Sequence, residues 1–448
     1  MMDFRTGWLG LVLLASLSAV QAPAQAQTSP NPPAVRVLTL QDCYTLALTR
    51  SETLAISREE IKIAEAQYWQ AVSALFPQIS FSLSERIQNS AGSSISGGGD
   101  SGGRRDRIEG RLSFTQTLFS GFREFNTAAS LQALKRSQTE QLKRDRQLLY
   151  LDGATLFYQV LSQENDLRIL DEIVANLEAL RQELQERVNL GRSRRGDILA
   201  AETQLADYQT VREQVKGMSG ASRELLSFLI GVPSDRYQLK DTMTLPETEK
   251  LDAYLWRSGA RPDITAAAES STAAERELSA SKGALLPTVT ASGNFLALEE
   301  PERQQEWDIL ISATIPVFDG GLRIAEVKEK EAALRSTRLS FSRARRLAES
   351  EVRQTYNTFI YSASQYVALQ KALRTARENY EVQKSDYGLG RTSNLDVLNA
   401  LFNYNNFQRR EKSLETQLRS NLVALQVAAG EPEQNSETRS VKRETSQP

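Results

Sequence analysis

The sequence repeats one plan twice, and this duplication limits the folds open to the chain more than any other feature. ALFPQISFS returns as ALLPTVTAS, TLFSGFR as PVFDGGLR, NLGRSRRGDILAAE as GLGRTSNLDVLNAL, and LLSFLIGVP more loosely as LVALQVAAGEP. Three matches share one offset, since 318 − 119, 390 − 191 and 430 − 231 all equal 199. Four matches in the same order at near-constant spacing predict two structural repeats in one chain.

The remaining match has a larger offset and locates an insertion. Its offset is 284 − 74, or 210, so the first repeat carries 11 more residues, which is 210 − 199. They fall in a Gly/Ser-rich run at about 89–103, which predicts a solvent-facing loop tip. We predict a first repeat over 27–231, an inter-repeat segment over 232–258, a second repeat over 259–430 and a disordered polar tail over 431–448.

The first 26 residues have the pattern of a secretory signal peptide. Arg5 precedes the short apolar run WLGLVLLASLSAV, and the small-residue segment QAPAQAQ follows it. We predict cleavage after Ala26, with Ala22 and Ala24 as alternatives, so the mature chain works outside the inner membrane. A short buried helix is the other interpretation of this run.

Each repeat changes from helical to two-residue periodicity at a proline. After Pro77, apolar Ile79, Phe81 and Leu83 alternate with polar side chains, and a similar alternation follows Pro287. The sequence predicts strands at about 78–89, 106–119, 288–298 and 305–316, each with one apolar and one polar face. Strands of this length can cross a bilayer when tilted.

Four such strands can form one of two structures. A small sheet packed on a helix layer would bury the apolar face. A membrane barrel would turn that face to lipid and the polar face to water. A barrel must close, because open edges leave backbone groups unpaired in hydrocarbon, and bacterial barrels have at least eight strands. Several copies of the chain would therefore each supply a share.

The segment from about 321 to 387 predicts one uninterrupted helix about 100 Å long. Its apolar positions repeat every seven residues and shift once by four residues, which is a coiled-coil stutter. A solid antiparallel bundle or a filament-like coiled coil fits this period as well. The seam comprises Val327, Leu334, Phe341, Ala348, Val352, Phe359, Tyr366, Leu373, Tyr380 and Tyr387, and the first repeat matches it with Leu149, Leu156, Leu170, Leu177 and Leu184.

Two turns, at 189–197 and 388–396, join each long helix to the helix that returns from it. Gly191 and Gly390 occupy C-terminal cap positions. Asp197 and Asp396 fall in the first turn of the next helix, where a carboxylate complements the helix N-terminus. The other interpretation is an ionic latch, in which Asp197 meets Tyr387 and Arg391 across the two hairpins.

Composition argues against two classes of function. The net charge is -2, so no basic surplus exists to neutralise the phosphates of a nucleic acid. The chain has 0 His and 1 Cys, and we find no nucleophile elbow and no paired metal ligands. We therefore expect no enzyme, no cofactor and no metal site. A secreted coiled-coil scaffold or adhesin without a pore remains the alternative to a channel.

The order of these motifs resembles the TolC family of outer-membrane efflux proteins. The resemblance rests on the duplicated helix-strand-strand-helix plan, the proline-led strands, the LFSGFR and VFDGGLR junctions, and the GLGRTSNLDVLNA hairpin, and it covers about 36–430. It implies a mainly helical fold with membrane strands, in which a trimeric twelve-stranded β-barrel continues into a twelve-helix α-barrel of long coiled coils. Pro77 and Pro287 would mark the transition from the helical tunnel to the β-barrel. The inter-repeat segment 232–258 would lie beside the tunnel, in a small patch around its equator.

The resemblance also implies a gate at the periplasmic end. Tyr387 and Asp197 match the family's latch residues, while Arg391 lies one place from the usual arginine position, which Thr392 occupies. Asp396 matches the first aspartate of a constriction ring, and Asn399 stands in place of the second. Three chains would then supply three carboxylates rather than six, which predicts a weaker cation site.

The partners follow from the same resemblance. A passive exit duct for efflux or type I secretion would lie in outer-membrane lipid and extend far into the periplasm. A periplasmic adaptor protein would dock at the hairpin tips near Gly191 and Gly390. An inner-membrane transporter of the RND, ABC or MFS type would supply the energy. The sequence does not identify the exported substrate.

Overall fold

The computed structural model describes residues 36–89, 104–245, 248–300 and 307–431. The predicted signal peptide, the Gly/Ser-rich loop after Asn89 and the predicted tail after Glu431 lie outside these residues.

The elements follow the predicted duplicated plan, which is confirmed. The first repeat contains α1 (Leu40–Arg50), α2 (Glu52–Ser73), β2 (Gln78–Asn89), β3 (Arg104–Phe119), α3 (Arg123–Asn189) and α4 (Arg195–Ile230). The second contains α5 (Leu251–Ser258), α6 (Pro262–Gly283), β5 (Thr288–Glu300), β6 (Trp307–Thr314), α7 (Leu322–Gly388) and α8 (Asn394–Ala428). Two three-residue strands, β1 (Arg36–Leu38) and β4 (Tyr237–Leu239), pair in parallel beside the helices.

The two sequence offsets reappear in the element boundaries. For α2 and α6, 262 − 52 and 283 − 73 both give 210, and for α3 and α7, 322 − 123 and 388 − 189 both give 199. β3 begins two residues before the predicted start at 106, and β6 ends two residues before the predicted end at 316. Pro316 has no N–H to donate and restricts the residue before it, which explains the earlier end of β6.

The four long strands form one antiparallel sheet in the order β2-β3-β5-β6. Its faces differ completely in chemistry. One row of paired positions runs Phe81, Leu112, Phe295 and Trp307 across all four strands, and the next row runs Ser80, Ser113, Asn294 and Asp308.

The apolar face of the sheet is open, and the polar face is tied together by its own hydrogen bonds. Phe81 and Trp307 are 63% and 70% exposed in the single chain. On the other face, Ser113 Oγ donates to Asn294 Oδ1 at 3.1 Å, and Asn294 Nδ2 donates to Asp308 Oδ2 at 3.2 Å. No helix of the described residues covers the apolar face, which argues against a small sheet packed on helices.

The helices pack in the same linear order as the strands. Next to the sheet, α2 packs on α3, α3 on α6, and α6 on α7. Farther from the sheet, α4 packs on α3, α3 on α8, and α8 on α7. An element of the first repeat therefore lies at one end of each row: β2 in the sheet, α2 next to it and α4 farther away. The other end is β6 in the sheet and α7 in both rows of helices.

The predicted seam of the long helices is confirmed. Its members on α7 are buried or half-buried, with Leu334, Ala348, Val352 and Phe359 the most enclosed. Leu170, Leu177 and Leu184 are buried on α3. Among the described helices, none is both long and apolar enough to cross a membrane.

The two repeats meet along a seam between α3 and α6. Arg136 forms an ion pair with Glu269 at 2.8 Å, and Ser137 Oγ donates to the Ala266 carbonyl at 2.8 Å. Nearer the sheet, a Cβ on Gly283 would lie 2.4 Å from the Gly121 carbonyl oxygen. Only glycine permits the backbones to approach this closely.

A buried charge cluster, here called the Arg144 cluster, closes the other end of this seam. Arg144 Nη1 donates to the Val427 carbonyl at 3.1 Å, and Arg144 Nη2 lies 3.8 Å from Glu351 Oε2. Arg261 binds both Asp263 Oδ2 and Glu351 Oε2 at 2.7 Å. Burial opposes the ionisation of Asp263, but the hydrogen bonds and charge of Arg261, with the charge of Arg144, outweigh it and hold the pKa of Asp263 below its usual value.

Candidate functional site

The two hairpin turns are built in the same way. The α3–α4 turn has Gly191 at φ +71° and the α7–α8 turn has Gly390 at φ +72°. Each glycine N–H bonds to the carbonyl three residues earlier, and the following arginine N–H bonds to the carbonyl five residues earlier. This pair of bonds is the Schellman motif, which satisfies the last carbonyls of a helix and requires left-handed backbone. Both glycines therefore lie at the hairpin tips.

The aspartates beyond the turns bond to the starts of their own helices. Asp197 Oδ2 accepts from Ser193 Oγ at 2.8 Å and from the Arg194 N–H at 3.0 Å. Asp396 Oδ2 accepts from Ser393 Oγ at 2.6 Å and from the Ser393 N–H at 3.1 Å. These bonds agree with the interpretation that both carboxylates cap the starts of their own helices.

The Asp396 carboxylate has a pKa below its usual value. The side-chain hydrogen bond from Ser393 is the main cause, and the Ser393 backbone N–H and the Thr392 hydroxyl add to it, because all three stabilise the charged form. Asp396 therefore carries its negative charge at neutral pH.

Tyr387 and Arg391 lie at the same end of the helices but make other contacts. The Arg187 guanidinium lies over the Tyr387 ring, 5.2 Å from its centroid, and joins the end of α3 to the end of α7. Arg391 pairs with Asp386 of its own hairpin at 3.8 Å. Among the hydrogen bonds and ion pairs of the described residues, none joins Asp197 to Tyr387 or Arg391. The latch therefore stays a prediction.

The sequence interpretation missed Arg187, although a signal was present. Arg187 lies four residues before Gly191 and precedes the turn just as Asp386 precedes Gly390. A cation and an anion at equivalent positions of adjacent hairpins indicate a contact between the hairpins or with a partner.

The two tips differ in charge. Arg192, Arg194 and Arg195 are exposed in the first tip. The second tip carries Asp386 and Asp396 with Arg391. Asn399 is exposed on α8, about one helical turn beyond Asp396.

The helix-to-strand transitions contain Pro77 and Pro287. Pro77 follows the end of α2 and directly precedes β2, and Pro287 lies in the same place between α6 and β5. Proline has no N–H to donate to a helix, and its fixed φ suits the start of a strand.

Exposed aromatic side chains gather at these transitions, and the sequence interpretation did not use them. Aromatic residues at such a boundary suit a membrane–water interface, where one part of the ring is dry and another is wet. They are Trp69, Phe76, Phe122, Phe125 and Phe318. Among the described residues, no group of three or more Cys, Asp or Glu side chains is arranged to hold a metal ion.

This geometry defines a class of protein. An amphipathic membrane-type sheet continues, at proline boundaries, into a wall of long helices with polar hairpin tips. Such a chain is one segment of the wall of a channel that crosses an outer membrane.

Comparisons with known proteins give the family. The model of the outer membrane efflux protein family matches residues 43–232 and 259–431. The outer membrane efflux protein BepC of Brucella suis is 22% identical over 378 residues, which are 81% of this chain and 78% of BepC. The outer membrane protein TolC of Vibrio cholerae is 22% identical over 349 residues, 73% of this chain and 76% of TolC.

A solved structure agrees with the fold. The outer membrane protein VceC of Vibrio cholerae superposes with a TM-score of 0.79 at 18% identity, over 88% of this chain and 96% of VceC. The chain belongs to the outer membrane efflux protein family. It is an outer-membrane efflux channel of a tripartite system, with a long periplasmic helical domain.

The glycine at each tip gives a direct test of the turn geometry. We expect Gly390→Ala to destabilise the α7–α8 turn by about 1 kcal/mol, because a Cβ is unfavourable at positive φ. Gly388→Ala is the matched control, since Gly388 lies within α7 with no atom near its missing Cβ. Amide hydrogen exchange of residues 385–397 measures the difference. Equal exchange in the two variants would contradict the assigned turn.

Proposed function

We propose that three copies of this chain close the channel wall. The observation that supports this is the strand order β2-β3-β5-β6, in which β2 and β6 are edges. Four strands cannot enclose a lumen, and an open edge in lipid leaves backbone N–H and C=O groups unpaired. A trimer, the assembly that the family implies, pairs β6 of each copy with β2 of the next and gives twelve strands.

The faces of the sheet set its orientation in this assembly. The row through Phe81 and Trp307 faces lipid, and the row through Ser113 and Asn294 faces the aqueous lumen. The aromatic side chains near Pro77 and Pro287 anchor the barrel at the periplasmic interface. A secreted scaffold without a pore leaves this exposed apolar face without a role.

The hairpin tips are the docking surface for the rest of the pump. We assign the tip at Gly191 and the tip at Gly390 to contact with a periplasmic adaptor. The three arginines of the first tip favour an acidic segment on that adaptor. An inner-membrane transporter supplies the energy, and the chain itself conducts passively without catalysis or cofactor.

The gate lies at the same tips. Tyr387 and Arg391 hold Asp197 in the closed state, and opening separates the hairpins. Asp396 and Asn399 face the constriction. Opening is a two-state shift in population that needs no covalent chemistry.

Conductance tests the channel itself. We expect the purified protein, reconstituted in a planar bilayer, to give discrete ion-conducting steps. Asp197→Ala should raise the open fraction, because it removes the acceptor of the latch. Asp207→Ala, on the same helix but about ten residues from the turn, is the control and should leave the open fraction unchanged. Bilayers that stay non-conducting with protein shown to be inserted would overturn the proposal.

A second measurement tests the constriction. We expect Asn399→Asp to strengthen block of the current by divalent cations, because it adds a second ring of three carboxylates beside Asp396. Asp396→Ala should weaken the block. Asp207→Ala, on α4 and far from this ring, is the control. Block of equal strength with and without the Asp396 carboxylate would remove this residue from the pore.

A further inference from the structure

The Arg144 cluster is a pocket of the second repeat that is occupied by an arginine side chain of the first repeat. Its walls come from the second repeat: the start of α6 with Arg261 and Asp263, Glu351 on α7, and the end of α8 with its Val427 carbonyl. The arginine that fills it comes from α3 of the first repeat. The first repeat should contain equivalent walls, because the element boundaries of the two repeats coincide.

The equivalent walls form an open pocket in this chain. Subtracting 210 from positions on α6 and 199 from those on α7 and α8 places the matching walls at 51–53, 152 and 228–229. A pocket of about 360 Å³ lies there. Its lining includes Arg50, Ser51, Thr53, Asp152, Phe228 and Leu229.

The packing below the two sites is also alike. A Cβ on Gly430 would lie 2.9 Å from the side chain of Arg261, and a Cβ on Gly231 would lie 3.1 Å from the side chain of Arg50. Each glycine ends a returning helix at positive φ. Arg50 therefore takes the place of Arg261, one residue displaced.

The pocket has an excess of negative charge. Glu52, Asp145 and Asp152 line it with Arg50 as the one cation among its lining residues. Asp152 takes the place of Glu351, and among the described residues no ion pair reaches it. Asp152 is exposed to solvent in the single chain, but the atoms around it partly desolvate the carboxyl and raise its pKa. A cation in the pocket would stabilise the charged form.

The matching arginine exists but lies too far along the row. Arg144 corresponds to Arg343, which is exposed on α7 and makes no ion pair with a described residue. Because α7 and α2 lie at opposite ends of the row, Arg343 reaches such a pocket only on another copy. Gln147, which donates to the Gly430 carbonyl, corresponds to Arg346 on the same surface.

We propose that Arg343 of each copy inserts into the Asp152 pocket of the next copy and locks the ring of chains there. Its guanidinium would pair with Asp152 and donate to the carbonyl of Phe228, as Arg144 does with Glu351 and Val427. The three pockets of a closed trimer are then filled, and each is incomplete without its neighbour. This proposal rests on the trimer proposed above and specifies its contact.

A second pair of charged residues supports the same contact between copies. The internal ion pair of Arg136 with Glu269 corresponds to Arg335 and Glu59. Both equivalents are exposed and opposite in charge, and within the described part of the chain Glu59 pairs only with Lys62 of its own helix, at 2.7 Å. The interface between copies therefore repeats the interface within the copy at two separate positions.

Charge reversal tests the contact. We expect Arg343→Glu to lower the temperature at which the trimer dissociates in detergent by about 5 °C or more, because it replaces a paired cation with a fourth carboxylate. Arg345→Glu is the matched control: it makes the same charge change on the opposite side of α7, where Arg345 pairs with no described residue but Glu349 of its own helix. We expect the control to shift the temperature little.

A charge swap and a cross-link distinguish loss of this contact from a folding defect of the single variant. Asp152→Arg with Arg343→Asp should restore most of the lost temperature. Asp152→Cys with Arg343→Cys, in a Cys43→Ser background, should link chains into dimers and trimers with a short bis-maleimide. A trimer that is equally stable in the Arg343 and Arg345 variants, without cross-links, would overturn this contact and leave the channel proposal standing. A wild-type protein that forms no trimer would overturn both.

Discussion

Backbone hydrogen bonding at the two edges of the sheet controls the rest of the structure. A strand pairs its backbone groups fully only when it has a neighbour on both sides, and among the described strands β2 and β6 each have one neighbour. In water, solvent would satisfy the open edges, but the apolar row through Phe81 and Trp307 directs this sheet to lipid, where no solvent is available. The chain must therefore find its missing partners in other copies of itself.

The helical part obeys the same constraint. The order of packing in the sheet is repeated next to it, as α2-α3-α6-α7, and again toward the tips, as α4-α3-α8-α7. The first repeat lies at one edge and the second repeat at the other, in the sheet and in both helical layers. The contacts between copies that close the sheet must therefore also close the helical layers. This explains why the repeats contact each other with polar and charged side chains, such as Arg136 with Glu269, that have counterparts at both ends of the row.

Much of this fold could be predicted from the sequence because its signals are local. Alternation with a period of two fixed the strands, and the heptad seam through Leu334 and Phe359 fixed the long helices. The pairing of β1 with β4 was missed, since three-residue strands carry no measurable period. The opposite charges at the equivalent positions 187 and 386 marked Arg187 in the sequence, but its contact with Tyr387 was missed because the choice of partner depends on how the two hairpins pack.

The candidate site was less predictable than the fold. The tip glycines follow from backbone geometry at Gly191 and Gly390 and were therefore visible in the sequence. The partners of Asp197 depend on neighbouring hairpins and copies, and in this single chain its carboxylate bonds to its own helix start. The open pocket at Asp152 is lined by residues from three separate segments of the chain, 50–54, 145–152 and 228–229, so its shape depends on tertiary packing that local patterns do not encode.

Native mass spectrometry of the purified protein in detergent tests most directly whether one chain is an incomplete wall. The account predicts a single main species with the mass of three mature chains. A main species with the mass of one chain, still folded and stable in detergent, would contradict it.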